Sequence, residues 1–124
     1  MLSSEQVISI VDDDASVRQA LDDLIGSAGL RTATFASAEE SLRSDRTQTT
    51  ACLILDLRMP GMDGRELHEQ LIREGYRIPV ILLTAHVDDT VRLWASRAGV
   101  AAFLRKPFDP EALLGAVKAA LRRR

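Results

Sequence analysis

Ala51-Cys52-Leu53-Ile54-Leu55-Asp56 places an ionisable side chain at the end of a short, unbroken apolar run. Such a run is too brief for a helix and reads as a strand buried on both faces, the kind found inside a parallel sheet. Asp56 is followed at once by the loop Leu57-Arg58-Met59-Pro60-Gly61-Met62-Asp63-Gly64. In an open α/β sheet, ligands bind outside the carboxyl ends of the strands. Asp56 therefore has two readings: a loop-starting residue that bonds local backbone, or a group placed to do chemistry. The rest of the chain separates them.

Outward from this strand, the pattern alternates strand and helix five times, without repeats or low-complexity segments. Val7-Ile8-Ser9-Ile10-Val11 is a first strand. Residues 15–28 carry Val17, Leu21, Leu24, Ile25 and Ala28 on one helical face, with Gly29 as the stop. A short strand spans Leu30–Phe35, and Ser37 with Glu40 forms a capping-box pattern at the start of a second helix. Ser44–Thr50 is polar and reads as loop.

Beyond the Asp56 loop, Asp63 and Glu66 repeat the capping box, Leu67 and Leu71 face inward, and Gly75 ends the helix. Ile78–Thr84 is a fourth strand, with Pro79 tolerated near its start. Val91, Trp94, Ala95 and Ala98 mark a fourth helix that stops at Gly99. Ala101–Leu104 is a fifth strand. Asp109 caps a last helix with Pro110 in its first turn and Leu113, Leu114, Val117 and Leu121 on one side. Five β–α units imply an α/β fold, a doubly wound five-stranded parallel sheet with helices on both faces, because crossovers are right-handed.

In that arrangement every strand's carboxyl end points to one edge. The edge collects Asp12, Asp13 and Asp14, then Asp56, Thr84 and Lys106. Clustered carboxylates repel one another unless a cation lies between them. Oxygen donors without His or Cys favour Mg²⁺ over zinc, and Mg²⁺ pairs one or two carboxylates with phosphate oxygens. Asp13 or Asp14 can also cap the following helix, although capping does not use three acids in a row. Lys106 is either an ordinary solvated lysine or a neutraliser of phosphoryl charge. Thr84 either caps the next turn or donates to the same oxygen. Together these groups suit phosphoryl transfer onto Asp56.

The remaining composition sets bounds. The chain has 124 residues, enough for one domain spanning 1–124. A net charge of −2 argues against non-specific nucleic-acid binding. No apolar run approaches the ~20 residues that span a bilayer, and the first residues lack signal-peptide features, so a cytoplasmic chain without membrane contact is expected. The single Cys52 reads as a small buried hydrophobe. His68 and His86 lack metal-ligand spacing and read as surface residues. Trp94 reads as a packing residue. Arg122-Arg123-Arg124 suits a helix end and is the expected start of an interdomain linker.

Taken in order, Val11-Asp12-Asp13-Asp14, Leu55–Gly64, Leu83-Thr84-Ala85, Ala98–Phe103 and Lys106-Pro107-Phe108 resemble the response-regulator receiver domain of bacterial two-component systems over essentially the whole chain. The Asp-Leu-Arg-Met-Pro loop looks most like the FixJ subgroup, whose members usually carry a helix-turn-helix output domain. The resemblance implies flavodoxin-like strand order 2-1-3-4-5 and a phosphoacceptor at Asp56, charged by a sensor histidine kinase. It implies Mg²⁺, replaceable by Mn²⁺, held by Asp13, Asp56 and the Arg58 backbone carbonyl, with Asp12 acting largely through water. Thr84 and Phe103 would form the switch pair, and Lys106 would contact a phosphoryl oxygen across a cis Lys106–Pro107 bond. The fourth helix and fifth strand would form a homodimer surface, with Leu93 a contact there. Arg58 and His86, next to the pocket, are candidates for tuning phosphoryl lifetime.

The expected function is a signalling switch, not an enzyme with an external substrate: it catalyses its own phosphorylation and slow dephosphorylation. It would act on a DNA-binding output domain outside these residues, with no direct nucleic-acid contact of its own. Two alternatives compete. An aspartate-nucleophile phosphatase would place an acid two residues after the nucleophile, where Arg58 stands. The other is an interaction module: an unphosphorylated one predicts degraded acids or a missing lysine, and none is missing, whereas a stand-alone single-domain receiver acting through protein–protein contacts stays open.

Overall fold

The computed structural model describes residues 6–122, so Arg123 and Arg124, most of the expected linker start, lie outside the described residues. The elements run β1 Val7–Val11, α1 Ala15–Ser27, β2 Thr32–Phe35, α2 Ala38–Arg43, a 3₁₀ turn Thr47–Thr49, β3 Thr50–Leu55, α3 Gly64–Arg73, β4 Val80–Thr84, α4 Asp89–Ala98, β5 Ala102–Arg105 and α5 Pro110–Arg122. All strand pairs are parallel, in the order β2-β1-β3-β4-β5. This is the expected doubly wound fold.

Period-two alternation along the central strands divides the core between the two faces. Cys52, Ile54, Ile81 and Leu83 pack with Leu21 and Ile25 of α1 and with Leu113, Val117 and Ala120 of α5. Leu53, Leu55, Val80 and Leu82 pack with Ala38 of α2, Leu67 and Leu71 of α3, and Ala95 of α4. All six residues of β3 are buried, which is why Ala51–Leu55 is apolar without interruption; Thr50 at its start is buried with its hydroxyl bonded to that of Ser9 at 2.7 Å. Each fully buried Leu or Ile contributes on the order of 1.5–3 kcal/mol.

Several boundaries differ from the sequence reading for local reasons. β2 begins at Thr32 because the Leu30 amide is bonded back to the carbonyl of Ile25 at the end of α1. β4 begins at Val80, although the Pro79 carbonyl still accepts from Leu53 at 2.9 Å. β5 runs one residue further, to Arg105, which lies opposite Thr84. At α2, Ser37 caps the Glu40 amide at 3.0 Å, whereas the Glu40 carboxylate accepts from Ala36 instead of closing a reciprocal box. At α3 the Asp63–Glu66 box is complete.

His68 corrects the surface assignment made from sequence. It is only 7 % exposed, on the α3 face toward α4, where its ring meets Trp94 edge-on at 5.8 Å. Burial holds its imidazole below the usual histidine range, with Glu69 pulling weakly the other way. Trp94 itself is partly buried and packs against the α2–α4 face of the core, as a packing residue should, with the Arg65 guanidinium 5.7 Å over its ring. Among the described residues, no helix is long and apolar enough to cross a membrane.

Candidate functional site

Strand order reverses between β1 and β3, so the carboxyl ends of these neighbours form the switch-point crevice in which open α/β sheets bind ligands. The register places Val11 opposite Leu55, and the Asp56 amide donates to the Val11 carbonyl at 2.9 Å. Asp12 and Asp56 are therefore level, one at each side of the crevice.

Asp12 is 2 % and Asp56 6 % exposed, whereas Asp13 is open to solvent. One carboxylate oxygen from each of the three lies within 4.8 Å of the others, a grouping that could hold a cation. Asp14 stands apart: its carboxylate accepts from the Ser16 and Val17 amides and the Ser16 hydroxyl, capping α1. Those bonds, the Ser16 hydroxyl first, lower its pKa. The run of three acids thus splits into one helix cap and two crevice carboxylates.

Lys106 closes the crevice from β5. Its Nζ lies 2.7 Å from Asp12 Oδ2 and 3.4 Å from Asp56 Oδ2, with the lysine side chain 17 % exposed. Its amide donates to the Thr84 carbonyl, and the Lys106–Pro107 peptide bond is cis. The other oxygen of Asp12 accepts from the Asp14 amide at 2.9 Å, and the Asp12 carbonyl accepts from the Arg18 guanidinium at 2.7 Å. Asp12 is thus held on three sides. Asp13 accepts no hydrogen bond among the described residues.

The electrostatics follow from this crowding. Burial, then the neighbouring Asp12 charge, raises the Asp56 pKa, and Lys106 offsets only part of the rise. Burial alone would lower the Lys106 pKa. The bond to Asp12 and the charges of both carboxylates more than reverse it, so the ammonium is held above its ordinary value. Two buried carboxylates with one lysine leave the crevice short of positive charge, which a bound cation would supply.

The other sequence-predicted residues fall around this centre. Thr84 ends β4 fully buried, its Oγ1 accepting from the His86 amide at 3.1 Å, which leaves the hydroxyl proton free to donate. Phe103, opposite Leu82 in β5, is half-buried. It lines an open cleft of about 390 Å³ with Arg92, Ala95, Ser96, Val100 and Ala102. Arg58 and His86 are exposed on the loops after β3 and β4. Leu93 is 52 % exposed on α4.

The loop after Asp56 is held by packing at both ends. Leu57 and Met59 are buried in the core, and the Gly64 amide donates to the Leu57 carbonyl at 2.9 Å. A Cβ on Gly64 would lie 2.3 Å from the Asp56 carbonyl oxygen, so only glycine lets α3 begin this close to the end of β3. Sequence reading missed two charged groups here. Arg18 reaches the Asp12 carbonyl from α1, and Glu39 reaches the Met62 amide from α2. Glu39 left one sequence signal, a glycine at position 61 where the carboxylate needs room.

Comparison with known proteins gives a consistent picture. Residues 8–118 match the family described as the response regulator receiver domain. Nodulation protein W of Bradyrhizobium diazoefficiens is 40 % identical over 98 % of this chain and 53 % of its own length. Transcriptional regulatory protein FixJ of Azorhizobium caulinodans is 38 % identical over 94 % of this chain and 55 % of its own. The solved structure of response regulator StyR superposes with a TM-score of 0.87 at 44 % identity, covering 94 % of this chain and 59 % of that one. The chain spans about half the length of the curated relatives it matches.

Proposed function

The chain belongs to the response regulator receiver domain family of two-component signalling, and on that premise we propose that it is a phosphorylation-driven switch with Asp56 as phosphoacceptor. The observation that carries this reading is the Asp12–Asp56–Lys106 constellation at the switch point, with Asp13 beside it. An Asp56 carboxylate oxygen attacks the phosphorus of a histidine kinase's phosphohistidine. The new O–P bond forms as the N–P bond breaks, and imidazole leaves. Asp56 attacks as its carboxylate; Lys106 offsets part of the rise in its pKa, and the same ammonium then faces the transferred phosphoryl oxygens.

The donor set fits a hard divalent cation, being all oxygen and partly exposed at Asp13. Asp13, Asp56 and the Arg58 carbonyl would hold Mg²⁺, or Mn²⁺ in its place, with Asp12 acting through water. Bound there, the ion supplies charge neutralisation on the phosphoryl oxygens. Asp12 is already engaged by Lys106 and the Asp14 amide, which supports the indirect role.

The Thr84 proton is available to a phosphoryl oxygen, and the cleft beside Phe103 gives its ring room to turn. That movement would alter the α4–β5 face where Leu93 is exposed, the surface proposed for homodimerisation. An output domain, DNA-binding as in the FixJ-like regulators, would be the listener, and residues 122–124 would begin the linker to it. The location is proposed to be the cytoplasm.

Incubation with Mg²⁺ and acetyl phosphate, followed by intact mass, tests the reading. One phosphoryl group is expected on the native chain and none on Asp56→Asn. No adduct at saturating donor would sink the switch, and rapid multiple turnover of a phosphate ester would favour a phosphatase. Arg58 stands two residues after Asp56 and His86 two after Thr84, both exposed, so Arg58→Ala and His86→Ala should admit water and shorten the phosphoryl lifetime. Unchanged decay rates in both would remove their tuning role.

A further inference from the structure

The geometry points to Glu39 as a positioning residue that clamps the phosphoacceptor loop from α2, and we propose that it sets the site's affinity for the divalent cation. The inference rests on the functional reading above. Glu39 sits in the first turn of α2, where the Ser37 hydroxyl accepts from the Glu40 amide and the Glu40 carboxylate from the Ala36 amide just before the helix. Its carboxylate instead crosses to the loop after β3, and Oε2 accepts from the Met62 amide at 2.9 Å, 23 residues away in sequence. This is a charge-assisted bond to backbone, stronger than a neutral one, and the α2 N-terminus favours the anion.

The loop is shaped to receive it. Gly61 adopts φ +73°, and a Cβ there would lie 2.5 Å from Glu39 Oε2. Glycine thus serves the left-handed turn and the carboxylate at once. Upstream, Met59 is buried; downstream, Asp63 caps α3. Pro60 and Gly61 are exposed between these anchors, while Met62 is partly buried against the core, and Glu39 adds the charged bond that fixes the backbone of that turn. The Arg58 carbonyl, assigned to the cation, sits two residues before this turn. Its direction depends on where the turn is held.

Groups that orient a metal's ligands typically cost roughly 10-fold or more in affinity when removed. Glu39 acts one step further out, through the backbone, so Glu39→Ala should raise the Mg²⁺ dissociation constant by roughly 3- to 10-fold. Glu39→Gln keeps an acceptor oxygen and should stay within about twofold. Amide spectra of the metal-free chains read the clamp directly: the Met62 amide should exchange slowly in the native chain and in Glu39→Gln, and quickly in Glu39→Ala. Mg²⁺ titration on the same samples reads the affinity.

Rapid Met62 exchange in Glu39→Ala together with weakened Mg²⁺ binding supports the role. Unchanged Mg²⁺ affinity in Glu39→Ala, on a chain that acetyl phosphate still modifies, overturns it, whether or not stability drops. A native chain that neither binds Mg²⁺ nor accepts a phosphoryl group overturns the functional reading itself, and the Glu39 role with it.

Discussion

Replacing Lys106 by methionine should destabilise the metal-free domain by about 2–4 kcal/mol near neutral pH, a little under the roughly 3–5 kcal/mol for removing one partner of a fully buried ion pair, because the lysine side chain is 17 % exposed. The ammonium lies within 2.7 Å of Asp12 and 3.4 Å of Asp56, and both carboxylates are almost wholly buried. Methionine fills the space of the lysine stem but leaves two like charges facing each other without a counterion. The damage should shrink on acidification, because the abandoned carboxylates can take up a proton. It should also shrink on adding Mg²⁺, which replaces the missing positive charge and stabilises whatever fold binds it.

In the native chain the Lys106 pKa is raised by folding. Its contribution is therefore fully present below the ordinary lysine pKa and is lost as pH rises through the higher folded value. Urea unfolding of both chains with and without Mg²⁺, at neutral and mildly acid pH, checks each part. A Lys106→Met chain as stable as the native one without metal would show that the crevice does not need this charge.

Asp56→Asn should move stability the other way. Burial and the charge of Asp12 raise the Asp56 pKa, so the folded state prefers the protonated acid more than the unfolded chain does. The sign follows from proton counting: between the unfolded pKa and the raised folded one, the fold binds more protons, and stability falls as pH climbs. Above the raised folded pKa the whole penalty is in force. A neutral amide of nearly the same shape escapes it, so metal-free Asp56→Asn should be more stable by roughly 1–2 kcal/mol. The advantage should fade as pH falls toward the ordinary aspartate range, where the native side chain is itself neutral. Mg²⁺ should narrow the gap by favouring the native carboxylate. Equal stabilities across that pH range would mean the crevice is less strained than its geometry implies. The same variant should accept no phosphoryl group, so stability is gained where function is lost.

Much of this was legible in the chain because the signals were local or periodic. β3 announced itself as an unbroken apolar run, and the parallel topology followed from its alternation with helices. Topology then gathered Asp12, Asp13, Asp56, Thr84 and Lys106 at one edge without any distance being known. The ambiguity over the three consecutive acids was resolved only by side-chain direction, Asp14 turning to the α1 amides and Asp12 to Lys106.

What sequence could not show were contacts set by how elements pack. His68 read as surface because it is polar and lacks metal-ligand spacing, yet α3 turns it toward Trp94 of α4. Glu39 looked like an ordinary acid in a helix's first turn, since nothing local ties it to a loop 23 residues on. The early starts read for β2 and β4 counted apolar residues, whereas the strands begin where backbone bonds allow.

Whether Asp56 carries the phosphoryl group is decided by locating it. After acetyl phosphate and Mg²⁺, borohydride reduction converts an aspartyl phosphate to homoserine, and peptide mass then finds the altered residue. A single conversion, at Asp56, is expected. Conversion at Asp12 or Asp13 instead, or an adduct on His68 or His86, would contradict it.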